Sequence, residues 1–122
     1  MANKKKENKV EIEYKGVNYA LVFNLNVMEE IQEEYGSVEA WGNLTEAADE
    51  PNAKAIKFGL CAMLNEGIEI YNEDNEDKDD FVERKPFTLR QVGRVISEEG
   101  LLNVASKINK TVIDSTKSDE KN

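Results

Sequence analysis

The chain has 122 residues, of which 39% are hydrophobic and 34% charged, and its net charge is −9. That length suits one hydrophobic core and is short for two, and the composition is that of a folded domain with a charged surface. The acidic balance and the lack of a basic stripe speak against direct binding to a nucleic-acid backbone, and no apolar run approaches the roughly 20 residues that span a bilayer.

There is no histidine and only one cysteine, Cys61. The commonest general base and metal ligand is therefore missing, and neither an internal disulfide nor a cysteine-based zinc site can form. Cys61 lies in an apolar helical stretch and reads as a packed small residue before it reads as a reactive one. The opening MANKKKENK is basic but leads into a strand, so it does not read as a signal peptide. A reducing cytoplasm is the expected location.

Residues 1–9 read as a flexible start and 10–116 as a single domain. Val10, Ile12 and Tyr14 alternate with Glu11, Glu13 and Lys15, the pattern of a strand with one apolar face. Lys15-Gly16-Val17-Asn18 supplies a turn, and Tyr19, Leu21, Phe23 and Leu25 alternate again, which predicts a β-hairpin. Two strands are marginal alone, so their apolar face must lie on helices. Asn26 with Glu29 three residues later predicts a helix start, Met28, Ile31 and Tyr35 its buried stripe, and Gly36 its end. Ser37 caps a second helix with Val38, Trp41 and Leu44 on one face, ending before Pro51.

The third predicted helix starts near Asn52 and is the most apolar, with Ile56, Leu60, Met63, Leu64 and Gly67 at helical spacing. Gly59 inside it costs about 1 kcal/mol relative to alanine, which a close helix contact would offset. Ile68, Ile70 and Tyr71 are candidates to pair with Phe81 and Val82 as short strands. Thr88 with Gln91 is a capping box, with Phe87 and Val92 as its hydrophobic staple and Leu89, Val92 and Ile96 as the buried face. Gly100 ends that helix. A last helix carries Leu101, Val104, Ala105, Ile108 and Val112, and residues 117–122 read as a flexible tail. The sum is an α+β fold, predominantly α: an N-terminal hairpin followed by about five helices.

The acidity is local. Residues 66–83 carry nine carboxylates against Lys78, a net −8 of the chain's −9. As an EF-hand loop the stretch fails: counting from Asp74 puts Lys78 at a ligand position, and neither that frame nor one starting at Asn72 has the glycine required at the sixth position. As a nucleic-acid mimic it is too crowded. The pattern favours a solvated connection over residues 72–83, held extended by like charges. No phosphate-cradling, dinucleotide, zinc-protease or nucleophile-elbow motif occurs, and no carboxylate pair stands out. The residues alone point to a small protein-binding module that is not an enzyme and needs no cofactor or metal.

The order of pieces resembles a known family. VEIEYKGVNYALVFNLNVMEEIQEEYGS resembles the opening of tail assembly chaperones of long-tailed siphophages, in which a strand–GxxY–strand hairpin leads into a helix that ends in YG or TG. Gly16, Tyr19, Asn26, Glu30, Tyr35 and Gly36 occupy those places. IKFGLCAMLNEG resembles that family's middle helix, and PFTLRQVGRVI the opening of its next one, through Phe87, Thr88, Val92 and Ile96. The resemblance covers residues 10–116, and the acidic insert at 72–83 departs from it.

What the resemblance implies is a non-enzymatic phage protein that binds the helical tape-measure protein, the tail-tube protein, or both, during tail assembly in the host bacterial cytoplasm, and that is absent from the mature virion. Neither nucleic acid nor membrane is an expected partner, while self-association stays open. A helical client needs an apolar groove; the expected one lies among the last two helices and Trp41, using Trp41, Leu101, Leu102, Ile108 and Val112. The same five residues also read as plain core packing, and Leu101 and Leu102 cannot both face one core fully. Two other readings stay open: a small structural phage protein, such as a head–tail connector or tail-completion component, and an acidic inhibitor of a host DNA-binding protein.

Overall fold

The centre of the molecule is its longest helix, and every other element is placed by it. The computed structural model describes residues 9–47 and 49–121, with side chains through Thr116. Strands β1 (Glu11–Tyr14) and β2 (Val17–Ala20) form an antiparallel hairpin, followed by helices α1 (Leu25–Tyr35), α2 (Val38–Thr45), α3 (Ala53–Asn75), α4 (Leu89–Glu99) and α5 (Leu101–Lys121). The α+β, predominantly α architecture read from the sequence is the observed one. Helix α3 packs against β2, α1, α2, α4 and α5. Ile56, Leu60, Met63 and Leu64 are its buried face, and Ile31, Trp41, Val92, Val104 and Ile108 close over it.

The hairpin turns at Lys15 and Gly16, with φ of 52° and 80°, the pair of left-handed residues that a two-residue type I′ connection demands. Tyr14 pairs with Val17 and Ile12 with Tyr19. The strand signal overran its end: β2 stops at Ala20, and Leu25, expected on the apolar face, is 72% exposed as the first residue of α1. The cap moves with it. Asn24, not Asn26, is the N-cap, its side chain accepting from the Val27 N–H at 3.3 Å. Asn24 and Asn26 both donate to the Glu66 carboxylate, at 2.8 and 3.1 Å, and so tie the start of α1 to α3.

Two glycines let partners reach the backbone of α3. A helical side chain leans toward the N-terminus, over the carbonyl one turn earlier. At Gly59 and Gly67 nothing covers the carbonyls of Ala55 and Met63. Trp41 Nε1–H donates to Ala55 O at 2.9 Å, and the Val22 N–H donates to Met63 O at 3.4 Å. A Cβ on Gly59 would overlap the Trp41 indole, and one on Gly67 would stand 2.5 Å from the Ala20 carbonyl oxygen. The close contact expected at Gly59 is therefore with Trp41.

The segment after α3 differs from its expected form. Ile68, Ile70 and Tyr71 form no strand; α3 continues through them to Asn75, and two backbone-bonded turns, Lys78 N–H to Asn75 O and Phe81 N–H to Lys78 O, reverse the chain. Only 76–80 of the acidic stretch is turn, and residues 81–88 run back along α3 as an extended strap. Side-chain amides hold it. Asn72 accepts from the Arg84 N–H and donates to Arg84 O, both at 3.0 Å. Asn65 does the same for Phe87, at 2.8 and 3.0 Å. Seven residues of helix and three of extended chain both span about 10 Å, so the two registers match. The Arg84 guanidinium lies 3.7 Å from the Tyr71 ring centre, and Phe87 meets Tyr14 and Tyr19 edge-on.

Helix α4 starts with the expected capping box, Thr88 and Gln91 each bonding the other's backbone N–H. Its buried face is Val92, Val95 and Ile96; Leu89, expected there, is half exposed. Helix α5 extends through Lys121, beyond residue 116, where the domain is expected to end. Of the expected flexible start at 1–9, only Lys9 falls among the described residues.

Candidate partner-binding groove

A groove of about 250 Å³ opens between α2 and α5. Its floor is apolar, formed by Val38, Trp41, Ile108 and Val112, and its rims are Glu39, Asn43 and Glu46 on α2 and Asn109 on α5. Helix spacing builds it. Val38, Trp41 and Thr45 fall on one face of α2 and turn inward, while Glu39, Asn43 and Glu46, at i, i+4 and i+7, line its outer edge.

Three of the five residues singled out from the sequence meet there: Trp41, Ile108 and Val112. They do not contribute alike. Trp41 and Ile108 are 2% and 1% exposed, so they present only an edge to the groove and mainly fill the core. Val112 is half-buried. Leu101 turns inward and packs on the core, whereas Leu102 is 67% exposed and lies outside the groove lining. The adjacent leucines thus split, one in and one out.

The periodicity of α5 adds residues that the sequence reading passed over. At about 100° per residue, Asn109 and Ile113 fall about 20° to either side of Leu102, so the three share one face. Asn109 lines the groove, and Ile113 is 46% exposed. Leu102 and Ile113 thus flank Asn109 on the outer surface of α5, beside the groove lining rather than in it. The signal was present as a spacing of eleven between Leu102 and Ile113, but the inward stripe through Val104 and Ile108 dominated the pattern.

A second cavity, between α1, α3 and the strap, is lined by Glu30, Cys61, Asn65, Glu66 and Leu89, among others. Glu30 is raised above the usual carboxylate range, first by local desolvation of a side chain that is exposed overall, then by Glu66, Glu69, Glu33 and Glu29. Burial, and after it Glu30, pushes the Cys61 thiol up, the opposite of what an activated thiolate needs. Asn65 donates to its sulfur at 3.5 Å. Cys61 is thus a half-buried packing residue, as its helical context implied. Among the described residues no three histidine, cysteine or carboxylate side chains converge as a metal site, and no helix is long and apolar enough to cross a membrane.

Comparison with protein-family models, with curated proteins and with solved structures returns no match.

Proposed function

We propose that this protein is a non-enzymatic tail assembly chaperone of a siphophage type, and that it holds an apolar helical segment of the tape-measure or tail-tube protein until assembly buries that segment. The observation that carries the reading is the open groove with an apolar floor between α2 and α5, with the exposed apolar side chains of Leu102 and Ile113 on the same helix as its α5 wall. An amphipathic helix with an unburied stripe fits such a groove through anchors at i, i+3 or i+4, and i+7. The order of elements, a hairpin leading into a capped helix that ends in Tyr35-Gly36, supports the same reading through its resemblance to that family. Work of this kind belongs in the host cytoplasm and leaves no copy in the finished particle.

The test is co-expression with the tape-measure protein encoded by the same phage, followed by pull-down and a solubility assay. A soluble tape-measure protein that co-purifies, and that is lost with the Asn109→Arg variant, is the expected result. An insoluble, unbound tape-measure protein together with recovery of this chain from purified virions would replace the chaperone by a structural tail component.

A further inference from the structure

We infer that the α2–α5 groove selects a helix whose apolar stripe is flanked, on one side, by basic residues seven positions apart. The inference rests on reading that groove as a docking site and adds the charge pattern of its occupant. Glu39 and Glu46 stand seven residues apart on α2, both exposed, along one rim. A partner helix lying beside α2 has the same rise per residue, so cations at i and i+7 meet both carboxylates, each about 10 Å from the next. Among the described residues no lysine or arginine lines the groove. The ion pairs among the described residues are Lys107–Glu99 and Lys110–Asp114, so Glu39 and Glu46 pair with no cation among those residues.

Fold stability accounts for only one of the two carboxylates. Glu39 sits in the first turn of α2, where the helix dipole favours an anion. Glu46 is the C-cap, where the dipole opposes one, yet its carboxylate leans back to within 3.9 Å of the Cβ position of Gly42 on the groove's rim. A residue that breaks a local rule at the rim of an open groove is expected where binding sets the choice.

The test titrates the full chain with three synthetic amphipathic peptides of about 20 residues, long enough to hold helix on binding. They share one leucine stripe and carry lysine, glutamine or glutamate at two flanking positions seven apart. Calorimetry gives affinity and Trp41 emission reports the groove. Two exposed charge pairs make the lysine peptide bind about tenfold more tightly than the glutamine one, an advantage that shrinks with added salt. Glu39→Gln with Glu46→Gln should erase the preference, and Glu39→Lys with Glu46→Lys should reverse it toward the glutamate peptide. Equal binding of the lysine and glutamine peptides, lost together in Asn109→Arg, overturns the charge pattern and leaves the docking site standing. Binding of none overturns both. Dimerisation of the wild type that Asn109→Arg abolishes gives the groove to a second copy and overturns the inference as well.

Discussion

The indole N–H of Trp41 donates to the backbone oxygen of Ala55 at 2.9 Å, and it reaches that atom because residue 59, one turn later, has no side chain. The same device recurs eight residues along α3, where the Val22 N–H reaches Met63 O beside Gly67. Helix α3 thus accepts α2 and the hairpin through its own backbone. Alanine at 59 or 67 gains about 1 kcal/mol of helix propensity but must displace the indole or the Ala20 carbonyl. Overpacking of that kind costs about 1–3 kcal/mol, so both variants should unfold at lower urea. Gly93 in α4 is the control. A Cβ there meets only the Lys57 side chain, Cδ at 3.6 Å and Nζ at 3.8 Å, both ordinary contacts, so Gly93→Ala should raise stability by about 0.5–1 kcal/mol.

The strap depends on two asparagines and not on the acidic turn. Asn65→Ala removes the side-chain partner of the Phe87 N–H and leaves its carbonyl only the weak Cys61 thiol, and Asn72→Ala removes both partners of Arg84; at these part-buried sites each change should cost about 1 kcal/mol. Amide exchange at Phe87 and Arg84 should quicken in the respective variants, before global unfolding. Changing Asp77, Asp79 and Asp80 together to asparagine should alter stability by no more than about 0.5 kcal/mol, since all three are exposed. A loss of several kcal/mol in that triple variant would show the carboxylates to be structural.

What the sequence made legible was local chemistry with one solution. Ser37 and Thr88 cap their helices as read, the helix expected to start near Asn52 is capped by it, and Gly36 and Gly100 end theirs. Where two residues offered the same chemistry, pattern chose wrongly: Asn26 with Glu29 pointed to a cap two residues too late, and the strand's early end made Asn24 the cap. The strap was illegible for a different reason. Ile68 and Ile70 alternate like a strand and Phe81-Val82 offers a short apolar pair, but the partners of the returning chain are side-chain amides on a helix, and no periodicity announces those. Asn65 and Asn72, seven apart on one face, are visible only once the strap's path is known. The groove was half legible. Trp41, Ile108 and Val112 were found by apolarity, while its polar rim and the outward positions of Leu102 and Ile113 needed the packing of α5 against α3.

Acid should stabilise the fold slightly through Glu30. Its carboxyl is raised in the folded protein by desolvation and by the neighbouring glutamates. A carboxyl that holds its proton more tightly when folded makes stability fall as pH rises, from the ordinary carboxylate pKa through the raised one. Glu30→Gln should therefore be the more stable protein at neutral pH, by a few tenths of a kcal/mol once its exposure is discounted. The difference should vanish below the ordinary carboxylate range, as thermal melts at a series of pH values would measure. A Glu30→Gln advantage independent of pH would assign the effect to packing.

The five residues first singled out should separate into two classes when each is shortened to alanine. Trp41 and Ile108 are core side chains, so Trp41→Ala should cost about 3–5 kcal/mol and Ile108→Ala about 2–5 kcal/mol; any loss of binding in them follows from lost fold. Leu101→Ala and Val112→Ala, at half-buried sites, should cost less. Leu102 is largely exposed, and Leu102→Ala should leave the urea midpoint where it was. If the α5 face receives a helical client, Leu102→Ala and Ile113→Ala should still weaken capture of the co-expressed tape-measure protein, together by more than either alone. The informative comparison is capture against stability for each variant. A client that ignores Leu102 and Ile113 but is lost with Asn109→Arg confines the contact to the groove between Trp41 and Val112.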